Sequence, residues 1–96
     1  MKRIDGHRLN FLLEHYKRAI ADPKTYEDMF YFCEVTGYVE GVIDSSPVLQ
    51  SQILEGQNIL DIVNLVVQYM TQDVADDLSK PAVDIIHAAI LKANAY

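Results

Sequence analysis

Apolar residues recur along most of this chain at spacings of three and four, the period of an amphipathic helix. From about Ile4 or Arg8 to Ala21 the pattern sets Leu9, Leu12, Leu13, Tyr16, Ala19 and Ile20 on one face. Arg8, Glu14, Lys17 and Arg18 fall mostly on the other. Asp22-Pro23 closes this helix, because the residue before a proline is pushed out of the helical region. Thr25 is placed as N-cap of a second helix, whose first turn holds Glu27 and Asp28, acids that complement the helix dipole. Tyr26, Met29, Phe30, Cys33, Gly37 and Gly41 run down one side of it. Phe32, Val35, Val42 and Ile43 widen the apolar surface, so burial on two sides is expected. The turn formers Asp44-Ser45-Ser46-Pro47 end it.

Val48 to Gln57 is open to two readings. VLQSQIL makes a short helix with Leu49, Ile53 and Val48 inward and Gly56 as its stop, or it is an ordered loop. Asn58 then caps a third long helix, with Asp61 at its third position. Ile59, Ile62, Val63, Val66 and Met70 form the tightest stripe in the chain, extended by Leu60, Leu65, Val67 and Tyr69, which marks this helix as the centre of the core. Gln72 to Asp77 is an acidic connector. Ser79 and Pro81 start the last helix, since proline is tolerated in a first turn whose N–H groups lack intrahelical partners. Ala82, Ile85, Ile86, Ala89 and Ile90 are its inner face. The expected fold is all-α: one small domain of four main helices and a candidate short fifth, in an irregular or orthogonal bundle.

Gly37 and Gly41 interrupt the second helix, and each costs a helix interior about 1 kcal/mol relative to alanine. That cost makes sense where another backbone comes close. Packing against the apolar third helix inside the core is the favoured expectation, ahead of a contact between two copies of the chain. The same spacing serves dimerisation in lipid, but this helix is no membrane span.

Composition narrows the function. The 96 residues are half hydrophobic, enough for one core, and carry a net charge of -6 from 14 acidic and 8 basic residues. That balance argues against nucleic-acid binding and anionic membranes, and it suits a basic protein partner or plain solubility. No run approaches the roughly 18 apolar residues that cross a bilayer. The opening MKRIDGHRLN is charged and has no apolar h-region. The expectation is then a cytoplasmic protein, or a chain numbered from a mature boundary. Cys33, the sole cysteine, excludes an internal disulfide and reads as a small core residue.

A search for chemistry returns little. His7, His15 and His87 stand in no zinc-ligand spacing, and His15 and His87 read as solvated surface residues. Phosphate-cradle and nucleophile-elbow motifs are absent, and Asp73, Asp76 and Asp77 lack the spacing and glycine of a calcium loop. Cys33 sits in a helix middle, away from the N-terminal activation a nucleophilic thiol needs. No enzyme activity, metal or cofactor is expected.

Three short motifs, in order, give the chain a family likeness. Phe32-Cys33, Gly37-Tyr38, Gly41-Val42 and Asp44 form the first; Val66-Val67 and Tyr69-Met70 the second; Pro81-Ala82, Ile85-Ile86 and Ala89-Ile90 the third. With Leu12-Leu13 in the first helix, this order resembles the Tai-type immunity proteins, which bind and inhibit amidase effectors of type VI secretion. Members are typically exported and carry several cysteines, some paired, whereas this chain has Cys33 alone and Tyr16 where a cysteine is expected. Two extra residues also separate Cys33 from Gly37, and Asp61 replaces a glutamine.

The resemblance implies an all-α binder that plugs the cleft of a cysteine–histidine peptidoglycan amidase, acts in the periplasm and forms a homodimer. The expected contact surface is Ser45 to Asn58, with Gln50, Ser51, Gln52 and Glu55 available for hydrogen bonds and Leu49 and Ile53 as anchors. The acidic turn with Asp73, Asp76 and Asp77 is the second candidate. The rival expectation is an acidic cytoplasmic adaptor or inhibitor of another protein.

Overall fold

A computed structural model describes residues 4–22, 26–53, 56–72 and 78–94. Among these the chain forms α1 (Gly6–Ala21), α2 (Tyr26–Asp44), α3 (Pro47–Gln52), α4 (Ile59–Gln72) and α5 (Ala82–Asn94), with no β-strand. The all-α expectation holds, and the ambiguous segment after Pro47 contains a six-residue helix.

Side chains satisfy the starts of α1, α3 and α4. Asp5 caps α1, its carboxylate accepting the Arg8 N–H at 3.1 Å. Ser46 caps α3 by accepting the Leu49 N–H at 3.2 Å, and Pro47 follows at a position where its missing N–H is no loss. At α4, Asn58 and Asp61 exchange bonds: the Asp61 N–H donates to Asn58 Oδ1 at 2.9 Å, and the Asn58 N–H to Asp61 Oδ2 at 3.1 Å. This reciprocal pair is the capping box in an Asn/Asp version, and it bears out the expected start of α4. Gly56, in the loop ahead of it, has φ +88°, a left-handed conformation that favours glycine. It therefore shapes the turn; α3 itself has already ended, with Ile53 as its C-cap.

All five helices contribute to one core. α1 supplies Leu9, Leu12, Leu13 and Tyr16, α4 supplies Ile62, Val63, Val66 and Met70, and α5 supplies Ala82, Ile85, Ile86, Ala89 and Ile90. The inner face of α5 matches the expected one residue for residue. α1 packs most extensively on α2, and α4 on α5. A second tie joins the chain's beginning to the start of α5. Gly6 N–H donates to Lys80 O at 2.9 Å, His7 N–H to Leu78 O at 3.1 Å and Ala82 N–H to Ile4 O at 2.9 Å.

The structure corrects the expected packing of α2. Its inner face is Asp28, Val35, Val39 and Val42, spaced seven, four and three residues apart. Tyr26, Met29, Phe30, Cys33, Gly37 and Gly41, expected inside, lie together on the outward side. Phe32, Tyr31, Tyr38 and Ile43 are half-buried between the two faces. A Cβ built on Gly37 or Gly41 meets nothing within 4 Å, so neither glycine admits a neighbouring core helix. The close approach occurs at Gly6 instead. A Cβ there would lie 2.6 Å from Leu78 O and 2.8 Å from Ile85 Cδ1. Ile20 and Leu60, also expected on inner faces, are exposed. Thr25 and the Asp73–Asp77 connector lie outside the described residues.

Candidate functional site

α3 is the centre of the expected contact surface, and its six residues divide sharply by role. Leu49 is 0% exposed and packs in the core, which corrects its expected part as a surface anchor. Val48, expected inward beside Leu49, instead faces solvent at 57% exposure, on the side of α3 away from the core. Gln50 is exposed, and its Nε2 donates to the carbonyls of Ile43 at 3.1 Å and Asp44 at 3.0 Å, completing the C-terminal end of α2. Ser51 is exposed and turns its Oγ back to the Val48 carbonyl at 2.7 Å. Gln52 and Ile53 are half-buried, the latter against the core. Glu55, like Asp73, Asp76 and Asp77, lies outside the described residues.

α3 is held at its far end by Asn94, the last described residue of α5. Asn94 Nδ2 donates to the Gln52 carbonyl at 2.7 Å and to Gln57 Oε1 at 3.2 Å. With the Ser46 cap and the Gln50 bonds, these contacts fix a helix too short to persist alone. Asn94 was invisible in the sequence pattern because its partners are about forty residues upstream.

A groove of about 400 Å³ adjoins this segment. Ile43, Ile53, Ile59 and Ile62 line it, and Glu40 and Asp44 bring acidic groups to the same opening. Its chemistry suits a segment that pairs an apolar side chain with a cation. A wider groove of about 750 Å³ runs past the other side of α2, where Gly37, Gly41 and Val42 face Val83 and His87 of α5. Sequence reading missed both grooves, since each is assembled from helices distant in the chain.

The remaining polar groups do not converge on a reaction centre. Cys33 is exposed in mid-helix, and no group of three metal-binding side chains occurs among the described residues. His15, expected on the surface, is half-buried, stacked on Tyr31 with ring centroids 4.3 Å apart and flanked by Phe11. Arg8 covers the Phe11 ring at 5.0 Å and approaches Glu34 at 3.9 Å. His87, likewise half-buried, lines the wider groove. Tyr16 lies flat against Phe32, with ring centroids 5.5 Å apart, and its hydroxyl has no hydrogen-bond partner among the described residues. Burial pushes its pKa up from the usual 10.0.

The fold and these surfaces define a small all-α protein with two grooves flanking α2. Comparison of the chain with family models, curated proteins and solved structures finds no match. No helix among the described residues is long and apolar enough to cross a membrane.

Proposed function

We propose that this chain is an immunity-type inhibitor that binds a peptidoglycan amidase effector of type VI secretion and occludes its active site. The observation that carries the reading is the α3 surface. A short helix, capped by Ser46 and braced by Asn94, presents Val48, Gln50 and Ser51 beside an acid-rimmed apolar groove. Inhibition by occlusion needs a rigid shape and no chemistry, and preorganisation of a short binding element lowers the entropy lost on association. Val48 replaces Leu49 as the apolar anchor, with Ile53 at the groove edge. The three ordered motifs that resemble the Tai-type family support the amidase as partner, and the same resemblance implies a periplasmic location.

A second reading, an acidic cytoplasmic adaptor or inhibitor of a different protein, is favoured by the net charge of -6 and the single exposed cysteine. Affinity capture from a type VI-positive bacterial lysate separates the two. The proposal expects a small cysteine–histidine amidase on the wild-type bait and its loss on Val48→Arg. Recovery of only non-hydrolase partners would favour the adaptor.

A further inference from the structure

The groove beside α3 is built from a stretch of chain that holds no cation. Between Lys24 and Lys80 there is no lysine, arginine or histidine, yet 10 of the protein's 14 acidic residues fall there. α2, α3 and α4 lie wholly inside that stretch, and so do all the described residues that line the groove. Glu40 and Asp44, one turn apart near the C-terminal end of α2, are both exposed at the rim. Among the described residues neither carboxylate has an ion pair or a hydrogen bond.

Their position is costly for the isolated chain. Like charges at i, i+4 repel, and acidic side chains near a helix C-terminus oppose the negative end of its dipole. α2 has no basic residue in its last turn, and the side chains that meet its final carbonyls, Ser45 and Gln50, are neutral. A cation brought from outside relieves both costs at once.

We infer that this groove takes an arginine and an apolar side chain two residues apart on an extended segment of a partner protein. Glu40 and Asp44 rise from Cβ atoms about 6 Å apart, a span suited to the planar, five-donor guanidinium and poorly matched by a point-like ammonium. The guanidinium is also the more weakly hydrated of the two, so it loses less on entering an apolar groove. Below the rim, Ile43, Ile53 and Ile59 are half-buried and Ile62 is buried, an apolar floor of branched side chains. In an extended segment, residues i and i+2 face the same side about 7 Å apart. That spacing sets the arginine on the carboxylates and its apolar neighbour on the isoleucines. At about 400 Å³ the groove is in the size range of ligand pockets and accepts both. The inference deepens the inhibitory reading and rests on it for the protein that carries the segment. The chemistry of the segment rests on the groove alone.

Methyl NMR of the full chain, titrated with acetyl-Gly-Arg-Ser-Leu-Gly-amide, tests it without an amidase. Saturable shifts are expected at the Ile43, Ile53, Ile59 and Ile62 methyls, at the low-millimolar affinity of a short flexible peptide. Binding should weaken at least about threefold with lysine in place of arginine, and by a similar factor between about 50 and 500 mM salt. The Glu40→Gln, Asp44→Asn double variant is expected to bind at least about tenfold more weakly while its melting temperature is unchanged or higher, because the helix end is relieved. A purely structural role for the two carboxylates would lower that temperature. Absence of shifts at these methyls up to about 20 mM peptide would overturn the inference. Equal binding of a peptide with glutamate in place of arginine would do so too, as would the same shifts from spermidine, which would make the groove a small-amine site. Failure here leaves inhibition of an amidase untouched, and an amidase that is not inhibited leaves the peptide result standing.

Discussion

At Gly6, a hydrogen in place of a methyl group sets how closely the beginning of the chain approaches the segment leading into α5. Adding a Cβ there drives it to 2.6 Å from a backbone oxygen and 2.9 Å from Leu78 Cα, atoms that cannot rotate away. Gly6→Ala is therefore expected to destabilise the protein by about 2 kcal/mol, as overpacking does. Gly37→Ala has the opposite sign: open space and a helix interior give a gain of up to about 1 kcal/mol. Denaturant titration of both variants at low protein concentration checks the pair. The sequence marks the glycines inside α2 as conspicuous, since they break a helical pattern. It leaves Gly6 unremarked, because the atoms that crowd it arrive from residue 78 onward.

Tyr16 gives the residue scale its pH dependence. Its hydroxyl is buried without a partner among the described residues, so Tyr16→Phe is expected to change stability at neutral pH by no more than about 1 kcal/mol. In alkali the two diverge. The unfolded chain releases the tyrosine proton near pH 10, while burial raises the folded value above it. The folded state then holds more protons, so wild-type stability is intact below about pH 10 and declines as pH rises beyond it. Tyr16→Phe should lose less stability between pH 9 and about pH 11, read by urea midpoints.

Among the elements, α5 and α2 show how far periodicity reaches. α5 concentrates its apolar residues at helical spacing on one face, with Val83 and Leu91 as the large apolar residues outside it, so its inner face of Ala82, Ile85, Ile86, Ala89 and Ile90 is legible directly. α2 is apolar nearly all round, and two stripes compete at helical spacing. Tyr26, Met29 and Phe30 are the larger side chains, yet the valines at 35, 39 and 42 face inward. Local pattern cannot choose between stripes of similar period. The choice is made by tertiary packing, in which α2 turns its valines toward α1 and α4.

α3 was legible as a segment and not as a surface. Its cap, Ser46-Pro47, is written in the sequence, whereas the brace from Asn94 depends on how α5 ends. Removing that brace tests the element. Asn94→Ala is expected to cost about 1 kcal/mol by leaving the Gln52 carbonyl without its donor. It should also raise amide exchange in residues 49–53 while leaving α1 unaffected. Uniform exchange changes across the chain would show that Asn94 acts globally and not on α3.

Across the whole molecule, one shared core leaves two distinct faces of the bundle at the surface. The core draws on every helix, the α3 surface with its acid-rimmed groove is the proposed inhibitory face, and the α2 stripe of Tyr26, Met29 and Phe30 is exposed. A net charge of -6 favours encounter with a basic partner, and Glu40 and Asp44 concentrate that field at the groove. The fold class was open to sequence reasoning because it follows from period and caps. The surface grooves were not, because they are built where helices distant in sequence meet.

The most direct test of the proposed function is titration of a purified type VI peptidoglycan amidase with this protein, following hydrolysis of its substrate. The account predicts loss of hydrolysis that saturates at a fixed stoichiometry, and at least about tenfold weaker inhibition by Val48→Arg at an unchanged melting temperature. Full hydrolysis by every amidase tested, with the protein in saturating excess, would contradict it.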